Sequence, residues 1–145
     1  MKRTLLVVAL VLGLAPAHAS AGVPPVPCST VPNCITLVGR SGTIADPIGE
    51  FTVTVRDAFT CVPIGGSIVT VDFSRCLSLR LCANQPDPLM TVNCSSGSVS
   101  KMTGLNGEAR FRIVGGAVVP PGGNCDPPLC ASIYADGVLL GSPQA

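Results

Sequence analysis

The sequence predicts an all-β domain, a sandwich of seven to nine short strands braced by disulfides. Three observations carry this. Several segments of five to seven residues, Phe51 to Arg56 the clearest, alternate strictly between apolar and polar side chains, the period of a half-buried strand. Turn residues punctuate them throughout, with 16 Gly and 14 Pro in 145 residues. Eight cysteines, an even set, suit a small oxidised fold with few aromatic side chains to fill its core. No helical periodicity follows the N-terminal segment, and no internal repeat occurs.

That N-terminal segment reads as an export signal. Lys2 and Arg3 precede the apolar run Leu5 to Leu14, and Ala17-His18-Ala19 supplies a small-x-small cleavage site with the cut between Ala19 and Ser20. The run is shorter than the ~20 residues needed to span a bilayer, and no later stretch predicts a membrane span. Cleavage removes Lys2, Arg3 and His18 from totals of 9 basic residues, 8 acids and 1 histidine, so the mature chain has net charge −1 and no histidine. Expected organisation is therefore a signal peptide at 1–19, a proline-rich arm at 20–34 and one domain at 35–145. The location expected is secreted, extracellular or periplasmic.

In that compartment Cys28, Cys34, Cys61, Cys76, Cys82, Cys94, Cys125 and Cys130 are expected to form disulfides rather than a zinc site. No Cys-x-x-Cys and no mature histidine is present to hold the metal. Eight cysteines allow on the order of a hundred connectivities. Spacing suggests Cys28–Cys34 as a local bridge, with Cys76, Cys82 and Cys94 tying down the central loops.

The elements follow in order. Pro24, Pro25, Pro27 and Pro32 make the arm extended, a spacer or a strip along the domain edge. Ile35 to Val38 is a short strand and Gly39 to Gly49 is turn-rich. In Phe51 to Arg56, Phe51, Val53 and Val55 face inward. Pro63 and Gly65-Gly66 turn the chain into Ser67 to Phe73, where Val69, Val71 and Phe73 face inward. Leu77 to Leu81 alternates again, Ala83 to Pro88 is a loop, and Leu89 to Asn93 and Ser98 to Thr103 are weaker strands. Asn106-Gly107 is a type I′ hairpin signal, followed by Ala109, Phe111 and Ile113 inward and Glu108, Arg110 and Arg112 outward. Gly115 to Pro128 is a loop. Ala131 to Ala135 and Val138 to Leu140 flank a second type I′ signal, Asp136-Gly137.

The strand FTVTVRD (Phe51 to Asp57), the turn Pro63 to Gly66, the strand SIVTVDFS (Ser67 to Ser74) and TGLNGEARFRI (Thr103 to Ile113) resemble bacterial immunoglobulin-like modules of the invasin/intimin (Big-1) type. The resemblance covers about half of the mature chain and implies an immunoglobulin-like sandwich with an adhesive role at a cell surface. Members of that family are usually cysteine-poor tandem repeats, whereas this chain is a single copy with eight cysteines. Asp72 to Cys76 and Tyr134 to Gly141 also resemble small cysteine-rich exported bacterial proteins of unassigned function.

Several chemistries are disfavoured. A net charge near zero and 3% aromatics argue against nucleic acid. Without histidine, Ser-His-Asp and Cys-His catalysis are closed. Lys101, the one mature lysine, is expected to face solvent beside Ser98 and Ser100, away from any serine–lysine dyad. The acids Asp46, Glu50, Asp57, Asp72, Asp87, Glu108, Asp126 and Asp136 are scattered and read as turn formers and outward strand residues. No Asp-x-Asp-x-Asp-Gly calcium loop occurs. Asn93-Cys94-Ser95 fits a glycosylation sequon. No catalytic residue, metal or cofactor is expected.

Two roles remain. One is a non-enzymatic secreted or cell-surface module, structural, adhesive or assembly-forming, open to self-association at strand edges. The other is a secreted binding protein, such as a protease inhibitor, using the 115–130 loop. Arg110, Arg112, Asn124 and Asp126 are the contact-surface candidates for a protein or surface partner.

Overall fold

The computed structural model describes residues 27–41, 44–45, 47–81, 84–117 and 129–145. The expected signal peptide, the cleavage site expected between Ala19 and Ser20, and residues 20–26 of the proline-rich arm lie outside the described residues. So do Cys82, Asn124, Cys125 and Asp126.

Eleven strands occupy the described residues: β1 (Arg40–Ser41), β2 (Ile44–Ala45), β3 (Phe51–Thr54), β4 (Ile68–Asp72), β5 (Leu79–Leu81), β6 (Thr91–Asn93), β7 (Ser98–Met102), β8 (Glu108–Phe111), β9 (Gly115–Ala117), β10 (Ser132–Ala135) and β11 (Val138–Gly141). The only helical element among them is a single 3₁₀ turn, Pro47–Gly49. The main sheet runs β11-β10-β4-β7-β6, and β3 pairs with β8, β5 with β9 and β1 with β2. Every one of these pairs is antiparallel.

Alternation builds the core. Val53, Val55, Ala109, Phe111 and Ile113 come from β3, β8 and their extensions, and Val69, Val71, Val99, Ile133 and Ala135 come from the main sheet; all are at most 1% exposed and belong to one cluster. The β3–β8 ladder and the five-stranded sheet thus face each other across a shared apolar layer, the arrangement of a β-sandwich. Phe51 and Phe111 stack between the strands with ring centroids 5.3 Å apart, a geometry that adds to simple burial. Each fully buried Val, Ile or Phe contributes roughly 1.5–3 kcal/mol through removal from water.

Two disulfides fasten this layer to its surroundings. Cys28 bonds Cys61, 33 residues away, and Cys76 bonds Cys130, 54 residues away. The local Cys28–Cys34 bridge suggested by spacing is therefore replaced by a long-range one. Its physical cause is visible in the arm, which lies along the domain edge. Thr30 and Thr54 exchange backbone hydrogen bonds of 2.9 and 3.0 Å, and this carries Cys28 toward the loop after β3. Cys34 instead sits beside the C-terminus, in a parallel bridge with Gln144, and is exposed and unbonded.

Other departures from the expected strands have local reasons. Ile35 to Val38 is not a continuous strand; it touches the sandwich through the Cys34–Gln144 and Val38–Val114 bridges, and Ile35 and Val38 are still buried. The turn at Asn106-Gly107 is not type I′, since Gly107 has φ +74° while Asn106 is not among the positive-φ residues. Gly107 N–H donates to the Gly104 carbonyl at 2.9 Å, closing a type I turn with the glycine in the left-handed position. A side chain at Gly107 would meet the Val55 carbonyl at 2.5 Å. This turn passes from β7 in the main sheet to β8 in the facing ladder, so it joins the layers instead of closing a hairpin. Asp136-Gly137 does adopt the expected geometry, with φ +48° and +83°. Asp136 also accepts from Ser67 Oγ at 2.7 Å and from Ile68 N–H at 2.9 Å, so the turn is docked onto the start of β4.

Candidate functional site

The end of the main sheet where β4 finishes and β6 turns into β7 forms the candidate site. Asp72 ends β4 on the outward face, and Phe73 turns inward, donating its N–H to the Gly97 carbonyl at 2.9 Å. Beyond it the chain makes a tight turn in which Cys76 N–H donates to the Phe73 carbonyl and Leu79 N–H to the Cys76 carbonyl. The buried Cys76–Cys130 bond pins that turn to the segment that leads into β10. Across from it, Asn93 Oδ1 accepts from Ser95 N–H and Oγ and from Ser96 N–H, fixing the β6–β7 turn.

Between these two turns lies a groove of about 420 Å³, within the size range of small-ligand sites. Leu77, Leu79 and Leu81 supply apolar surface, and Asp72, Arg80, Ser95 and the exposed thiol of Cys94 supply polar groups. Arg80 is held by its Nη1, which donates to the carbonyls of Leu77 and Leu79 at 3.0 and 2.9 Å. Asp72 Oδ1 accepts from Ser74 N–H at 2.7 Å. Sequence reasoning did not assemble this groove. Its walls come from two segments, 72–81 and 94–97, whose only shared signal was cysteine spacing.

The expected contact residues are placed differently. Arg110 projects outward from β8, with its side chain 66% exposed, and lies 3.5 Å from Glu108. Arg112 is only half-exposed and pairs with Glu50 at 2.6 Å. Lys101 contradicts the expectation of a solvent-facing position, since its side chain is 16% exposed. It shares the inward parity of Val99 on β7, and its ammonium donates to Asp87 Oδ2 at 2.5 Å and to the Arg110 carbonyl at 2.9 Å. One lysine thereby connects the main sheet, the facing ladder and the 84–90 loop. Gln85 adds a second tie, its side-chain amide donating to the Val114 carbonyl and accepting from Val114 N–H.

Six of the acids do structural work. Asp57 Oδ1 accepts from Phe59 N–H, Thr60 N–H and Thr60 Oγ1, which holds its carboxyl below the usual carboxylate value. Asp72 and Asp136 fix turns, Glu50 and Glu108 pair with arginines, and Asp87 pairs with Lys101. Asp46 and Asp126 lie outside the described residues. Among the described residues no group of three or more His, Cys, Asp or Glu could hold a metal ion, and no helix is long and apolar enough to cross a membrane.

The Asp87 pair makes pH a probe of the fold. Burial raises the Asp87 pKa, but the Lys101 hydrogen bond, the Leu89 N–H and the Lys101 charge together outweigh it, so the pKa lies below its ordinary 3.8. A carboxylate with a depressed folded-state pKa contributes stability above its unfolded value and loses it as pH falls through the folded one. Asp87→Asn is expected to cost roughly 1–2 kcal/mol at neutral pH. Denaturant titrations of variant and parent should converge as the pH falls below 3.8. A difference that persists undiminished there would place the effect in the loop instead of the charge.

Comparison of the chain with protein-family models, with curated proteins and with solved structures finds no match. The fold and site are described by their own residues alone: a small all-β protein of several sheets, with two long-range disulfides and a mixed polar and apolar groove.

Proposed function

We propose that the chain is a secreted or cell-surface, non-enzymatic immunoglobulin-like module with a structural, adhesive or assembly role. The observation that supports this best is the pair of strands ending the main sheet. β6 pairs only with β7 and β11 only with β10, and among the described residues no strand hydrogen-bonds to their outer sides. Free strand edges present rows of backbone donors and acceptors that complement another extended strand. The two long-range disulfides support a location in an oxidising compartment. The acids and Lys101 support a non-catalytic reading, because their hydrogen bonds serve turns and layer contacts.

Light scattering and electron microscopy on the oxidised mature chain, residues 20–145, test the assembly role. Association that grows with concentration is expected. Lysines at the exposed edge positions Thr91 and Leu139 (Thr91→Lys, Leu139→Lys) should abolish it while the circular dichroism stays unchanged. A wild-type monomer at every concentration would overturn self-assembly.

A second reading, a secreted ligand binder or protease inhibitor presenting the 115–130 loop, draws on Cys130, which anchors one end of that loop through Cys76.

A further inference from the structure

We propose that the groove between the 72–81 and 94–97 segments binds a small zwitterion with an apolar side chain, a free α-amino acid or a short peptide. This goes beyond the module role and stands apart from the strand edges. The argument is charge complementarity around an apolar wall. Asp72 and Arg80 line the same groove with opposite charge, yet neither forms an ion pair among the described residues. Asp72 commits Oδ1 to Ser74 N–H and leaves Oδ2 without a partner there. Arg80 commits Nη1 to two carbonyls and leaves Nε and Nη2 without partners among the described residues. A guanidinium offers five N–H donors in a planar fork suited to a carboxylate. Those two carbonyl contacts also restrain the arginine, so less side-chain freedom is lost when it takes up a ligand.

An ammonium therefore belongs at Asp72 and a carboxylate at Arg80. Leu77 is 71% exposed, and with Leu79 and Leu81 it gives an aliphatic side chain a surface to cover. The groove volume of about 420 Å³ admits a single amino acid or a dipeptide. The Cys76–Cys130 bond and the Asn93 turn hold the two walls in place, so the site is largely formed before binding.

The test is a titration of the oxidised mature chain, followed by amide chemical shifts, with three probes: leucine, the dipeptide leucyl-leucine, and N-acetyl-leucinamide, which carries neither charge. Saturable shifts confined to residues 72–81 and 94–97 are expected with leucine or the dipeptide, and whichever binds more tightly identifies the source. N-acetyl-leucinamide should bind several-fold to about a hundredfold more weakly, since it loses two charge pairs, each worth roughly a factor of ten or less at a partly exposed site. Asp72→Asn, which keeps the oxygen that accepts from Ser74, and Arg80→Gln should each weaken leucine binding by up to about tenfold. No saturable shift with either zwitterion, shifts elsewhere on the fold, or equal affinity for the uncharged probe would each overturn the proposal. The probe series needs no variant, so it stands if a substitution fails to fold.

Discussion

Replacing Cys76 and Cys130 together with alanine is expected to lower the stability of the oxidised chain by about 4 kcal/mol, the loop-closure entropy for a bridge spanning some 50 residues. The bond joins residues 54 apart and both cysteines are buried, at 2% and 1% exposure. It connects the turn after β4 to the segment that leads into β10, and β4 and β10 are neighbours in the main sheet. Without it the ladder must itself hold the 73–79 turn against the core. The variant should melt roughly 10–20 °C below the parent, with the groove residues losing their hydrogen-exchange protection first. Cys28→Ala/Cys61→Ala opens a shorter loop of 33 residues at the domain edge. Its entropic cost falls only slightly below that of the longer bridge, but its loss frees the arm and leaves the core seam intact. Calorimetry on both pairs checks the order. Equal melting temperatures for parent and Cys76/Cys130 variant would mean that the bridge does not constrain the unfolded chain.

The sandwich layers were legible because their inner positions carry large apolar side chains at period two. Phe51, Val53 and Val55, then Val69, Val71 and Phe73, then Ala109, Phe111 and Ile113 all face inward as the alternation requires, and all are 9% exposed or less. Where the pattern is carried by small residues it gave no signal. β9 is Gly115–Ala117, which reads as loop. It pairs with β5, where a side chain at Gly115 would meet the Arg80 carbonyl at 2.6 Å. Leu77 and Leu81 share a parity with Leu79, yet Leu77 is 71% exposed, because the turn ending at Leu79 breaks the strand before it starts.

Lys101 shows the limit of reading a residue by its charge. Strand parity places it inward with Val99, at the end of the sheet, where Asp87 and a carbonyl compensate its desolvation. Those partners are 14 and 9 residues away, and nothing local announces them. The groove was illegible for the same reason. Asp72 and Cys94 come together only after β4, β7 and β6 pair in register, and Arg80 joins them from β5, beyond the turn that follows β4. The cysteine count pointed to disulfides, while the choice of partner for Cys28 depended on the Thr30–Thr54 contact that lays the arm along β3.

Phe111→Ala is expected to destabilise the protein by about 3–5 kcal/mol, the usual cost of deleting a buried aromatic ring. Phe111 is fully buried and stacks on Phe51 across the β3–β8 ladder. Deleting it removes a ring from a core whose other large side chains are mostly valines. β-Branched side chains have few rotamers with which to move into the space, so the site collapses poorly and the cost falls toward the upper end. Phe111→Leu, which refills much of the volume, should recover more than half of the loss. Phe59 provides the contrast. It is 95% exposed on the 57–62 loop, which Asp57 and the Cys28–Cys61 bond hold in shape without the ring. Phe59→Ser is therefore expected to shift stability by no more than about 0.5 kcal/mol. Chemical denaturation of the three variants measures all of this in one series. A Phe59→Ser loss comparable to that of Phe111→Ala would overturn this contrast, since it would require the loop phenylalanine to be buried in the folded protein.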